Sequence, residues 1–98
     1  MKNIIIYVYR EANTPFYLYD VFDTSRQELI AGNGATDNNE LARNIMPANL
    51  RLDLSLSKET TFEYRGYCPL ILGQNDDLDI ETKEELEDLL EITIDYLH

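Results

Sequence analysis

Residues 4–9 read Ile4-Ile5-Ile6-Tyr7-Val8-Tyr9, six β-branched or aromatic side chains in a row, and this run decides the fold. Such residues favour extended backbone, and a segment apolar on both faces belongs inside a sheet. Beyond the turn-rich Glu11-Ala12-Asn13-Thr14-Pro15, the stretch Phe16 to Phe22 repeats the character. It places Phe16 and Leu18 on one face and Tyr17, Tyr19 and Val21 on the other. Asp23-Thr24-Ser25-Arg26 supplies a polar turn, and Glu28 to Ala31 completes a three-strand meander.

Gly32-Asn33-Gly34 then interrupts the pattern as a loop that needs positive φ angles. Asp37 and Glu40 form a capping box opening a short helix that ends before Pro47, with Leu41, Ala42, Ile45 and Met46 on its apolar side. Leu50, Leu52, Leu54 and Leu56 alternate with Arg51, Asp53, Ser55 and Ser57, the period of a strand with one wet face. Lys58-Glu59 turns it into a return strand from Thr60 to Tyr67 that carries Phe62 and Tyr64 inward. Leu70-Ile71-Leu72, after Pro69, adds a short edge strand. Thr82 and Glu85 form a second capping box, opening a helix expected to reach the end of the chain. Its apolar arc holds Leu86, Leu89, Leu90, Thr93, Ile94 and Leu97. The expected fold is α+β in one domain over 1–98, ordered β-β-β-α-β-β-(β)-α, with an antiparallel sheet of five or six strands carrying two helices on one face.

The 98 residues include 19 Asp and Glu against 8 Lys and Arg, for a net charge of -11. Affinity for phosphate backbones comes from cations displacing counterions, so direct nucleic-acid binding is excluded. The same repulsion disfavours anionic membranes, and no apolar run approaches the length of a membrane span or a signal-peptide core. The single cysteine, Cys68, forms no internal disulfide and fits a reducing cytoplasm, bacterial or that of an infected host cell.

Residues 76–98 hold ten acids and one base, Lys83, leaving -9, whereas residues 1–75 carry only -2. On the expected terminal helix Glu81, Glu84, Asp88, Glu91 and Asp95 are spaced 3, 4, 3 and 4, with Glu85 and Glu87 beside them. They form a carboxylate ridge opposite the leucines. Seven acids over fourteen steps of about 1.5 Å give one charge per roughly 3 Å, near the roughly 3.4 Å of one B-DNA strand. Like charges at these spacings cost about 0.2–0.5 kcal/mol per pair, so helix stability alone does not favour the ridge. It is either a solvated face that keeps the chain soluble or a surface for a basic partner.

Catalytic chemistries find little support. The only histidine is the last residue, His98, so no Ser or Cys has a histidine base, and Cys68 lacks cationic neighbours in sequence. Asp76, Asp77, Asp79 and Glu81 crowd oxygen ligands, but an EF-hand starting at Asp77 would place Thr82 where its turn glycine belongs. No metal or cofactor is expected. Glu81-Thr82-Lys83, preceded by Asp77 or Asp79, resembles the PD-(D/E)xK nuclease pattern; there the segment lies on a strand, and here it opens a helix. Thr36-Asp37-Asn38-Asn39-Glu40-Leu41-Ala42 resembles the T-x-N-N-x-x-E-L helix start of ribonuclease H-like domains. That family needs an Asp in its first strand and Ile4 to Arg10 has none, so the resemblance implies a related topology at most, not the activity.

In composition the chain is similar to small acidic proteins of phages and mobile elements that inhibit restriction or CRISPR nucleases. The expected function is therefore a non-enzymatic, nucleic-acid-mimicking inhibitor of the anti-CRISPR or anti-restriction type. Glu81, Glu84, Glu85, Glu87, Asp88, Glu91 and Asp95 would meet a basic surface, that of a nucleic-acid-binding protein. The alternative is an interaction or regulatory module, homodimeric through a sheet face shared by Tyr7, Tyr9, Tyr17 and Tyr19.

Overall fold

β1 (Asn3–Glu11) carries the Ile4–Tyr9 run through the middle of a six-stranded sheet. The structure is a computed structural model, and it describes residues 2–68 and 75–96. β2 (Tyr17–Asp23) pairs antiparallel with β1, from Ile4 opposite Asp23 to Arg10 opposite Tyr17. β3 (Glu28–Ala35) pairs antiparallel with β2 and forms one edge. On the other side of β1, β4 (Thr61–Arg65) runs parallel to its first half and β5 (Asn75–Asp77) antiparallel to its second half. β6 (Ile94–Asp95) lies parallel to β4. The helices are α1 (Asn38–Ile45), α2 (Pro47–Asp53) and α3 (Ile80–Leu90).

The fold is α+β, but the sheet is mixed rather than antiparallel, and the described residues hold three helices where two were expected. Ile4, Ile6 and Val8 of β1, with Tyr19 and Val21 of β2 and Tyr64 of β4, pack against Leu41, Ile45, Leu50 and Leu86 of the helices. Each such aliphatic side chain contributes about 1.5–3 kcal/mol when fully buried. α1 and α2 carry the chain from the β3 edge to the far side of β1, and a parallel strand requires a crossover of that kind.

The expected strand over Leu50–Leu56 is instead α2 and its C-terminal turn. Pro47 takes the first helical position, where its missing N–H costs nothing. Leu50 and Leu54, four apart, turn inward, whereas Leu52 falls on the opposite side: Leu50 is 3% exposed and Leu52 79%. Ser55 closes the helix at φ 54°, with the Leu56 N–H donating to the Arg51 carbonyl (2.9 Å) and the Ser55 N–H to that of Leu52 (3.4 Å). No hairpin joins this segment to β4. Gly32-Asn33-Gly34 lies within β3 rather than in a loop, and neither glycine has positive φ. At Gly32 a Cβ would stand 2.9 Å from Asp20 Oδ1, so a larger residue there would displace the Asp20 side chain.

The acidic helix also ends early. Glu91 adopts φ 53°, its N–H and that of Ile92 both donate to the Glu87 carbonyl, and the chain re-enters the sheet as β6. Its N-cap is Asp79 rather than Thr82, Leu89 is 52% exposed, and Thr93 is exposed. The expected strand at Leu70-Ile71-Leu72 and the expected anchor Leu97 lie outside the described residues. Among the described residues no helix is long and apolar enough to cross a membrane.

Candidate partner-binding site

α3 is fixed to the sheet at its first turn. The Asp79 carboxylate accepts from the Thr82 N–H (3.1 Å) and from the Thr82 hydroxyl (2.8 Å), satisfying donors that a helix start leaves orphaned. The same Thr82 hydroxyl lies 3.0 Å from that of Tyr17 on β2. Leu86, one turn on, is fully buried, and the Tyr96 hydroxyl donates to the Leu78 carbonyl just ahead of the helix (2.6 Å).

Glu87 belongs to this inner side. It accepts from Lys83 Nζ (2.9 Å) and from the Ile94 N–H (2.9 Å), so one carboxylate ties α3 to β6. These contacts hold its carboxyl below the usual range, the Ile94 amide first and Lys83 second. In return Glu87 raises the Lys83 ammonium, which also lies 5.7 Å from the centre of the Tyr96 ring.

The outer side is different in kind. Glu81, Glu84 and Asp88 are exposed and make no hydrogen bond or ion pair among the described residues. Glu85 is exposed and accepts from the Asn38 side chain of α1 (2.7 Å). From Glu81 to Asp88 these four carboxylates have a mean axial spacing of roughly 3.5 Å at about 1.5 Å per residue, still close to the roughly 3.4 Å of a DNA strand. No basic residue stands in the last turn, so the dipole's negative end is left uncompensated. The expected seven-member ridge is therefore reduced: Glu87 turns inward, Glu91 is the left-handed residue closing the helix, and Asp95 lies on β6 opposite Arg65. The helix stops there because Ile94 is worth more opposite Tyr64, where it is buried, than in another helical turn.

The four tyrosines do not share a face. Pairing of Tyr19 with Val8 and of Tyr17 with Arg10 puts both on the helix-covered side, while Tyr7 and Tyr9 alternate to the other. Tyr9 is buried and donates to Asp20 (2.8 Å), and burial, with that carboxylate, pushes its hydroxyl well above the usual range. Tyr7 meets Phe22 and Tyr67 edge-to-face at 6.5 and 5.6 Å. Read only as part of a polar turn, Asp23 is in fact a fully buried acid. It pairs with Lys2 (3.2 Å) and accepts from the Ser25 hydroxyl (2.7 Å) and from the Ser25 and Arg26 amides. Its carboxyl is lowered to about 2, chiefly by Ser25. The signal available was a short Asx-type turn, Asp23 followed by Ser25. Arg51, expected on the wet face of a strand, instead lies over the Phe62 ring, 5.0 Å from its centre.

Among the described residues, no three His, Cys, Asp or Glu side chains gather as they would around a metal ion. Compared with family models, curated proteins and solved structures, the chain matches none.

Proposed function

We propose that this is a non-enzymatic acidic binding protein that lays the outer face of α3 on a basic protein surface, as a nucleic-acid-mimicking inhibitor of a nuclease or another nucleic-acid-handling protein. The observation that carries this reading is the line of Glu81, Glu84, Glu85 and Asp88, which forms no ion pair among the described residues while the opposite side of the helix is pinned to the core. A preformed row of charges loses little freedom on binding, and its field speeds encounter with Arg and Lys side chains. Glu91 extends the field beyond the helix end. The composition, similar to that of small phage and mobile-element inhibitors, supports the same reading, and the free thiol of Cys68 supports a reducing cytoplasm as its setting.

The test is capture of a partner from bacterial lysate by the wild-type chain and by the triple variant Glu81→Lys, Glu84→Lys, Asp88→Lys. The wild type should retain a nucleic-acid-binding protein at low salt, release it at high salt, and lose it to added duplex DNA; the variant should retain none while unfolding at an unchanged or slightly higher temperature. Equal retention by both chains at equal salt would sink the proposal.

A further inference from the structure

Of the eight bases, Lys2, Arg26, Arg65 and Lys83 stand in ion pairs. Among the described residues Arg10, Arg43, Arg51 and Lys58 do not, and of these Arg51 and Lys58 border one groove of about 580 Å³ between α2, the start of β4 and the connection from α3 to β6. The Arg51 guanidinium is held by its stack on Phe62 and by donation from Nη2 to the Thr60 carbonyl (3.0 Å), while Nε is buried without an acceptor. A planar fork with five N–H donors is thus oriented and mostly unmatched.

The same groove exposes a bare piece of sheet. The Thr61 N–H donates to Lys2 on the β1 side, and the Gly66 N–H donates to Asp95 on the β6 side. Backbone groups alternate along a strand, so the N–H and C=O of Phe62 point toward β6. β6, however, begins at Ile94 opposite Tyr64, and no described residue takes the Phe62 groups. The open strip from Thr60 to Tyr64 is four steps, about 13 Å at roughly 3.3 Å each. Arg51 stands at the Thr60 end of the strip, so the strip suits the end of a chain better than a segment passing through.

We propose that this groove binds the C-terminal end of an extended peptide, which adds to β4 at Phe62 and places its terminal carboxylate on Arg51 and Lys58. Backbone pairing supplies the alignment and the fork supplies the carboxylate contact. The rim acids Glu59 and Asp95 repel a free anion, and Glu63 is turned to Arg65 (3.0 Å) and Asn3 (3.3 Å). A carboxylate therefore needs the accompanying backbone and the apolar floor of Pro47, Phe62 and Ile92 to stay bound.

The experiment titrates the isotope-labelled protein, followed by amide NMR, with the peptide acetyl-Ser-Val-Thr-Val-Val bearing a free C-terminal carboxylate, with its C-terminal amide, and with acetate alone. The acid form should saturate and shift the amides of Phe62, Glu63 and Thr93, the amide form should bind about tenfold more weakly, and acetate should leave those signals in place. Lys58→Gln, at an exposed position that cannot upset the core, should weaken the acid form several-fold, and Arg51→Gln should abolish its binding. Equal binding of the two peptides, matching shifts from acetate, or no saturable shift at Phe62 would each overturn the proposal. So would an unaffected Lys58→Gln.

Discussion

Glu87 and Asp88 are neighbours in the chain and opposites in use. The Glu87 carboxylate faces two donors, Lys83 and the Ile94 N–H, and joins α3 to the sheet; Asp88 faces solvent near the negative end of the same helix, with no cation in that turn. Asp23 falls with Glu87, because the Ser25 and Arg26 amides, the Ser25 hydroxyl and Lys2 all converge on it. An acid that the fold uses is recognised by the donors around it. Acids without donors, such as Glu81, Glu84 and Asp88, mainly repel one another in the folded state, as a solvated face or a surface for a basic partner would.

The contrast is open to test by variants of the two sides. The largest change is expected from Leu86→Ala, which empties the centre of the inner face and should cost about 2–5 kcal/mol in urea unfolding. A loss under about 1 kcal/mol would mean that the helix is not anchored there. Next, Glu87→Ala should cost about 1–3 kcal/mol by stranding the Ile94 N–H and the Lys83 ammonium. Glu87 and Asp23 also make a pH prediction. Both carboxyls are lowered in the folded state, so their contribution is present above the ordinary carboxylate range and is lost as pH falls through the lowered values, for Asp23 from about 4 to about 2. Thermal midpoints should drop steeply in that window, and less so in Asp23→Asn; an equal drop in both chains would remove Asp23 from the account. Glu91→Gly, which relieves a left-handed residue, should stabilise by about 1 kcal/mol in the same urea experiment. The smallest effect is Asp88→Lys, a gain of about 0.3–1 kcal/mol through the helix dipole together with weaker partner capture. No gain would show that a neighbouring cation already balances this charge.

Much of the architecture was legible where neighbouring residues decide it. The Ile4–Tyr9 run and the Asp37 cap occupy the elements expected of them, and the expected strand Phe16–Phe22 forms β2 except for Phe16, which precedes it. The Leu50–Leu56 segment was not legible, because leucines at every second position also supply an i, i+4 pair, and Leu50 with Leu54 serves a helix as well as a strand. The candidate site was legible as a concentration of charge. Which acids it contains was not, since Glu87 turns to the Ile94 N–H, Asp95 lies on β6 opposite Arg65, and Glu91 closes the helix in a left-handed conformation.

The amino-acid order alone determined the α+β class, the meander and the gathering of negative charge near the end of the chain, all of them consequences of side-chain period, capping and composition. Only the tertiary structure decided that β4 runs parallel to β1, that α3 stops at Leu90, and that the tyrosines divide between two faces. Those choices rest on strand register and on burial against distant partners. A segment's own sequence states its preference for a conformation, but not which neighbour will cover it.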